Sequence, residues 1–306
     1  METIARNTCR LCGGSALHDV FSLGEQFIND FVPEEKIGQG LKAPLDLVMC
    51  DQCSLLQLRH TAPQELLYSR HYWYRSGVTD TMRRALRDIT EEIEAMVALK
   101  PGDVVLDIGA NDGTMLATYT APGIRRVGCE PANNLVDSLN KNADYVMHDF
   151  WNYERYMELA HKWGFGKAKV ITAIGMFYDL EDPNQFIKDA QLALADGGVF
   201  VAQLMCLAPM IEKNDLGNIC HEHLEYYSLD SLKYLFESNG FEMFKIEEND
   251  VNGGSYRIFA RHYDGMGMAY REKYTLNDIL AFAKRIEENR TRCVDFIKNE
   301  VSKGKK

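Results

Sequence analysis

Short apolar runs and helical repeats alternate along most of this chain. Residues 104–106 form a continuous apolar run, the kind buried on both faces of a parallel sheet. Residues 127–129, 145–147, 168–174, 199–203 and 241–246 are further apolar strands. Between them the period changes to that of a helix. The clearest case, residues 79–99, places Met82, Leu86, Ile89, Ile93, Met96 and Val97 on one face and is stopped by Lys100-Pro-Gly-Asp103. Further helices are expected over 134–140, from Pro183, and over 229–239 before Gly240. This alternation predicts an α/β fold with a doubly wound sheet. Ahead of it, residues 43–49 read as a strand of a smaller, β-rich region. Behind it, Val251-Asn-Gly-Gly254 is a glycine turn entering a strand that runs to Ala260. The tail, residues 276–306, is a charged amphipathic helix with Ile279, Leu280, Phe282, Ile286, Val294 and Ile297 as its apolar positions.

Composition narrows the class. A length of 306 residues suits about two domains, each with its own core. Apolar residues at 46% and charged residues at 26% are ordinary for a globular protein. The net charge of −11 opposes broad attraction to nucleic acid or anionic lipid. The apolar runs fall far short of a membrane span and the N-terminus has no signal-peptide core, so a cytoplasmic location is expected.

The cysteines change the picture of the N-terminal region. Of eight in all, four stand as Cys9-Arg-Leu-Cys12 and Cys50-Asp-Gln-Cys53. In a reducing compartment such pairs read as metal ligands before disulfides. Two turns, each aiming two thiolates at one ion, close a tetrahedral site with no open position, which is a structural Zn²⁺ site. The ion would stabilise a lobe too small to fold alone.

A second constellation follows the first strand of the sheet. Asp107-Ile-Gly109 leads into a tight Asn111-Asp112-Gly113 turn, and Thr114 opens a helical pattern. Glycine lets the backbone approach a ligand, and Asn111 and Gly113 tolerate positive φ. The spacing is neither G-x-G-x-x-G nor a Walker loop. The next strand ends in Glu130, placed to accept both hydroxyls of a ribose. Strand, turn and acid look like the cofactor site of class I methyltransferases, which bind S-adenosylmethionine (SAM). In such a domain Asp149 and Phe150 would flank the adenine. The aromatic stretch from Tyr68 to Tyr74 is either packing between two lobes or the lining of a cleft. His221-Glu222-His223 lacks the spacing of a protease zinc helix. On an extended segment its two histidines would share one side, with Glu222 opposite.

Taken together, these features resemble the sugar-nucleotide C-methyltransferase family. The matching pieces are Cys9-x-x-Cys12-Gly, Cys50-x-x-Cys53, Tyr72-x-Tyr74-x-Ser76-Gly77, Asp107-x-Gly109-x-Asn111-Asp-Gly113, Glu222-His223-x-x-Tyr226-Tyr227-Ser228 and Gly253-Gly-Ser-x-Arg257. The resemblance implies a zinc-binding lobe over 1–70, a Rossmann-like SAM-dependent methyltransferase domain over 71–248, and a shortened C-terminal segment with its helix over 249–306. It implies an acceptor that is a keto-deoxysugar linked to a nucleoside diphosphate, methylated at the carbon beside the ketone. Removing that α-proton calls for a base, a role that falls to His223, with Glu222 orienting it or contacting the sugar. A hydroxyl of Tyr72 or Tyr74 would stabilise the enolate oxygen. Cys220 stands where the family has a tyrosine, and Phe177-Tyr178-Asp179 where it has a histidine, which makes Tyr178 a substitute candidate. Arg75 and Arg257 are the phosphate-binding candidates. The shortened C-terminus leaves two further readings: O- or N-methylation of another small molecule, or a SAM- and zinc-binding subunit that works with a partner protein or a second copy.

Overall fold

The computed structural model describes residues 3–28, 32–265 and 272–305. Its N-terminal lobe begins with β1 (Ile4–Ala5), β2 (Leu17–Phe27), β3 (Lys42–Cys50), β4 (Leu56–Leu58) and β5 (His60–Thr61). Then come α1 (Asp80–Met96), β6 (Val104–Ile108), β7 (Arg125–Cys129), α2 (Val136–Asn142), β8 (Tyr145–Met147), α3 (Tyr153–Trp163), β9 (Ala168–Ile174) and α4 (Pro183–Ala193). The chain closes with β10 (Leu194–Met205), α5 (Leu207–Lys213), β11 (Glu225–Tyr226), α6 (Leu229–Ser238), β12 (Phe241–Asn249), β13 (Ser255–His262) and α7 (Leu276–Ser302).

The expected doubly wound sheet is present, seven strands in the order β12-β13-β10-β9-β6-β7-β8. Its strands from β8 to β10 pair in parallel, while β13 runs antiparallel to both its neighbours. Val105, Leu106, Val127, Val170, Ile171, Phe200 and Val201 are each almost fully buried, because helices cover both faces. β13 lies inside this sheet, so the C-terminal segment expected from residue 249 is not separate from the domain before it. Without β13 the sheet would break between β10 and β12.

Most helices lie where the periodicity puts them. In α1 the Thr79 hydroxyl accepts from the Met82 N–H as N-cap, and Leu86, Ile89 and Ile93 are buried. The helix expected to open at Thr114 does not form. The Thr114 N–H and hydroxyl are both held by Asp112 Oδ1, and only a 3₁₀ turn (Leu116–Thr118) follows. α3 has no counterpart in the periodicity reading, although Asn152 caps it.

The lobe and the sheet domain share structure. The lobe's sheet has the order β11-β4-β3-β2, and its strand β11 comes from the chain beyond β10. α7 is pinned at its start by a capping box between Thr275 and Asp278, and its first half lies on this lobe. There Ile279, Phe282 and Ile286 join one buried cluster with Leu45, Leu47 and Met49 of β3. The same helix leaves Val294, Phe296, Ile297 and Val301 exposed. Among the described residues no helix is long and apolar enough to cross a membrane. Phe282→Ala should therefore cost about 3–5 kcal/mol in a denaturant titration, whereas Phe296→Ala should stay within about 0.5 kcal/mol of the parent.

Candidate active site

β6 pairs with β7 on one side and β9 on the other, so the chain's crossovers diverge at its C-terminal end. Such a switch point opens a crevice. A cavity of about 370 Å³ lies there, bounded by Gly109, Glu130 and Gly175 at the three strand ends. Gly109 has φ +71°, and a Cβ on it would come within 2.8 Å of Met176. Glycine at this position keeps the mouth of the cradle open.

Glu130 is nearly buried at the end of β7. Its Oε2 accepts the Asn111 N–H at 2.8 Å and its Oε1 the Ala132 N–H at 2.8 Å. Burial raises its pKa, while the N–H groups of Ala132 and Asn111 pull it back. A carboxylate offers about four acceptor positions, so it can still receive two hydroxyls. Asp107 lies behind the cradle, not on it. Its Oδ1 accepts the Thr172 hydroxyl at 2.6 Å, and burial pushes its pKa up to about 7.

Asn111 and Asp112 do different work from that expected. Asn111, at φ +53°, lines the cavity, accepts the Ser76 N–H at 3.0 Å and donates to the Tyr74 carbonyl at 3.1 Å. Asp112 Oδ2 accepts the Gly77 N–H at 2.8 Å. The turn thus straps residues 74–77 over the cradle. Asn134 clamps the Tyr72 backbone from the other side, accepting its N–H and donating to its carbonyl. Tyr68, Tyr72 and Tyr74 consequently line the cavity, which decides the aromatic stretch in favour of a cleft. Gly113 stands away from the cavity, where a Cβ would strike Asn142 at 2.7 Å. Phe150 lines it with Trp151, whereas Asp149 is exposed and accepts the Phe150 N–H.

The His221-Glu222-His223 segment is a turn and not an extended strand, since the His223 N–H bonds the Cys220 carbonyl. Its two histidines face different partners. His221 Nε2 meets the Ala43 carbonyl at 3.0 Å, and His223 Nδ1 meets the Asn218 carbonyl at 2.7 Å. His223 packs edge-on against the Tyr178 ring and borders a separate small space with Met210 and Tyr226. Burial lowers its pKa, which favours the neutral ring. Tyr178 is buried too, with its hydroxyl on the Gly175 carbonyl at 3.0 Å. Neither residue lines the cavity. Glu222 is anchored by its backbone, whose carbonyl accepts the Tyr68 hydroxyl at 2.8 Å.

Several cavity residues escaped the sequence reading: Met176, Asp179, Glu181, Asp182 and Asp189. The acid cluster after β9 was the available signal. Among the described residues, no Lys, Arg or His lines the cavity. Neither phosphate candidate is there. Arg257 is buried, bonded to Gln203 at 3.1 Å, Glu92 at 2.6 Å and Asp88 at 2.9 Å. Arg75 meets Ser138 and the Asn134 carbonyl outside it.

Cys9, Cys12, Cys50 and Cys53 bring their sulfurs within 4.8 Å of one another, with Cys9 to Cys53 and Cys12 to Cys50 at 3.5 Å. Tetrahedral Zn–S bonds of about 2.3 Å need sulfurs roughly 3.8 Å apart. The donor set fits structural zinc. The Cys9 thiol is pulled down to about 5, first by the Cys53 thiol and then by backbone N–H groups of Cys12 and Leu11. From the same knuckle Arg10 enters the lobe–sheet boundary. Its guanidinium bonds Thr61 at 2.7 Å and lies 3.7 Å from Glu225 and 3.5 Å from Glu181.

Comparison with known proteins bears on both parts. A family described as "Methyltransferase domain" matches residues 79–246. The chain belongs to this methyltransferase family. A second family, "Putative zinc binding domain", matches residues 9–68. The chain is 30% identical to the C-methyltransferase NovU of Streptomyces niveus over 264 residues, 85% of this chain and 62% of NovU. It therefore spans less than two thirds of that relative. Solved structures with likeness to the chain include magnesium protoporphyrin IX methyltransferase of Synechocystis PCC 6803, 12% identical over 61% of this chain and 89% of that one, TM-score 0.46. Another is the CcbJ methyltransferase of Streptomyces caelestis, 17% identical over 58% of this chain and 89% of that one, TM-score 0.43.

The cradle fits SAM: the cavity has the volume of a small-molecule site, Glu130 keeps acceptor positions for a ribose, and Phe150 offers an aromatic face. Chelating the zinc should unfold the lobe and release its four thiols, read by thiol titration and a fall in melting temperature. Arg10→Met, which strands Glu225 as an uncompensated buried acid, should lower stability by about 3–5 kcal/mol in a denaturant titration, with zinc content unchanged.

Proposed function

We propose that the protein is a SAM-dependent methyltransferase whose acceptor is a sugar, carried on a nucleotide as a keto-deoxysugar, and whose methyl goes to carbon through an enolate. The observation that carries this reading is the cavity in which the cofactor cradle meets Tyr68, Tyr72 and the acids after β9. The 30% identity with NovU, a C-methyltransferase, over 85% of this chain supports the carbon target.

Gly109, Glu130 and Phe150 would hold the cofactor. When bound, SAM supplies an electrophilic methyl that carries its own leaving group, so the chain's task is alignment in a dry space. Tyr72 has its backbone fixed at both ends by Asn134, and burial keeps its phenol protonated. A fixed hydroxyl donor suits the oxygen on which enolate charge develops. The sugar end of the acceptor would enter the cavity. Its diphosphate would stay outside, since a lining rich in carboxylates repels it.

His223 would act at a distance, by supporting Tyr178 and the segment around it. Three variants test this assignment with SAM and a nucleoside-diphosphate-linked keto-deoxyhexose. Glu130→Ala should weaken SAM binding more than tenfold by calorimetry. Tyr72→Phe should bind SAM normally and lose about 10²-fold in kcat. His223→Ala should keep kcat within tenfold of the parent, and a loss of 10³-fold or more would return the role of base to the imidazole.

A further inference from the structure

Asp179 follows β9, on the loop that closes one side of the cavity. It is 8% exposed, and its Oδ1 has no hydrogen-bond partner. Buried carboxyl oxygens are almost always partnered, because leaving one bare forfeits its hydration for nothing. Its surroundings do not compensate it either. After burial itself, Glu225 and Glu222 raise its pKa as like charges, and its own charge is felt by the phenols of Tyr68, Tyr72, Tyr178 and Tyr226 and the thiol of Cys220. Among the described residues no Lys, Arg or His forms an ion pair with it. Groups kept in such an arrangement at the wall of a cavity are typically those that exchange protons with a ligand.

We propose that Asp179 is the general base that takes the proton from the acceptor carbon; this rests on the carbon-methylation reading above. The C–H bond beside the ketone breaks, the proton goes to the Asp179 carboxylate where it lines the cavity, and the electron pair moves through the new C=C bond onto the ketone oxygen. The enolate carbon then forms a bond to the methyl group as the methyl–sulfur bond breaks. The pair released there stays on sulfur as a neutral thioether, and the ketone re-forms. Asp179 returns its proton to solvent. Burial, and then the Glu225 and Glu222 charges, hold its pKa well above the carboxylate range, which strengthens it as a base. The carboxylate is the active form, so the rate rises with pH through that raised pKa.

The test uses the full zinc-loaded chain and a nucleoside-diphosphate-linked keto-deoxyhexose. With S-adenosylhomocysteine in place of SAM, deuterium from solvent should enter the carbon beside the ketone, read by mass spectrometry, without any methyl transfer. Wild type should exchange, with a rate that falls on the acid side. Asp179→Asn should lose exchange and kcat at least 100-fold while binding SAM within threefold of wild type. Having lost an uncompensated charge, it should also melt no lower than wild type at neutral pH. Asp179→Glu should retain slower exchange with its acid limb displaced. Exchange by Asp179→Asn within threefold of wild type, or pH-independent exchange by Asp179→Glu, overturns the assignment. Wild type that neither exchanges nor methylates the probe overturns the acceptor reading, and the base assignment with it.

Discussion

The molecule depends on where one positive charge is kept. Arg10 sits between two zinc-ligand cysteines, and its guanidinium is withdrawn from water at the boundary of lobe and sheet. A buried guanidinium is tolerated only where oppositely charged and acceptor groups surround it. Here they come from distant parts of the chain: Gln57 and Thr61 in the lobe, Glu181 after β9, and Glu225 in β11. Glu181 is also tied to Arg6 and Thr61, and it lines the cavity. The cysteine knuckle therefore reaches the cavity wall through one side chain, Arg10, and that wall is tied to the turn that carries the metal ligands.

The same economy runs through the rest of the site. Tyr178 accepts the N–H groups of Leu224 and Glu225 on its carbonyl, which ties the loop after β9 to the β11 segment. Asn111 and Asp112 restrain the aromatic strap from below, and Asn134 restrains it from behind. Side chains that the motif presents as ligand-binding are spent on backbone. What remains for a ligand is the surface they hold in position: tyrosine hydroxyls, an aromatic face and a set of carboxylates.

Period and spacing were enough to read the sheet, the zinc knuckles and the Gly109–Glu130 cradle, because each is set by local chemistry. An apolar run has few alternatives to a buried strand, and paired Cys-x-x-Cys turns have few alternatives to a metal. Some failures are local and some arise where distant segments meet. Asp112, only two residues before Thr114, takes its N–H and hydroxyl, and this side-chain turn replaces the expected helix start. The alternation rule put His221 and His223 on one side because it assumes an extended chain, and the turn at Cys220 breaks that assumption. Arg257 looked available for phosphate until α1 brought Asp88 and Glu92 to it. That Asp179 lines the cavity with a bare carboxyl oxygen depends on what fails to surround it, which no local pattern records.

The pairing of β11 with β4 has a consequence for biosynthesis. The four cysteines precede the sheet domain in the chain and can close around zinc before that domain is made. Strand β4, however, keeps an unpaired edge until Glu225 and Tyr226 arrive, after most of the sheet domain has been translated. Open edges invite pairing with other chains, and contacts this distant in sequence form slowly. The lobe that is first to bind its metal is thus among the last parts to be completed, and for much of synthesis the nascent chain depends on whatever shields that edge.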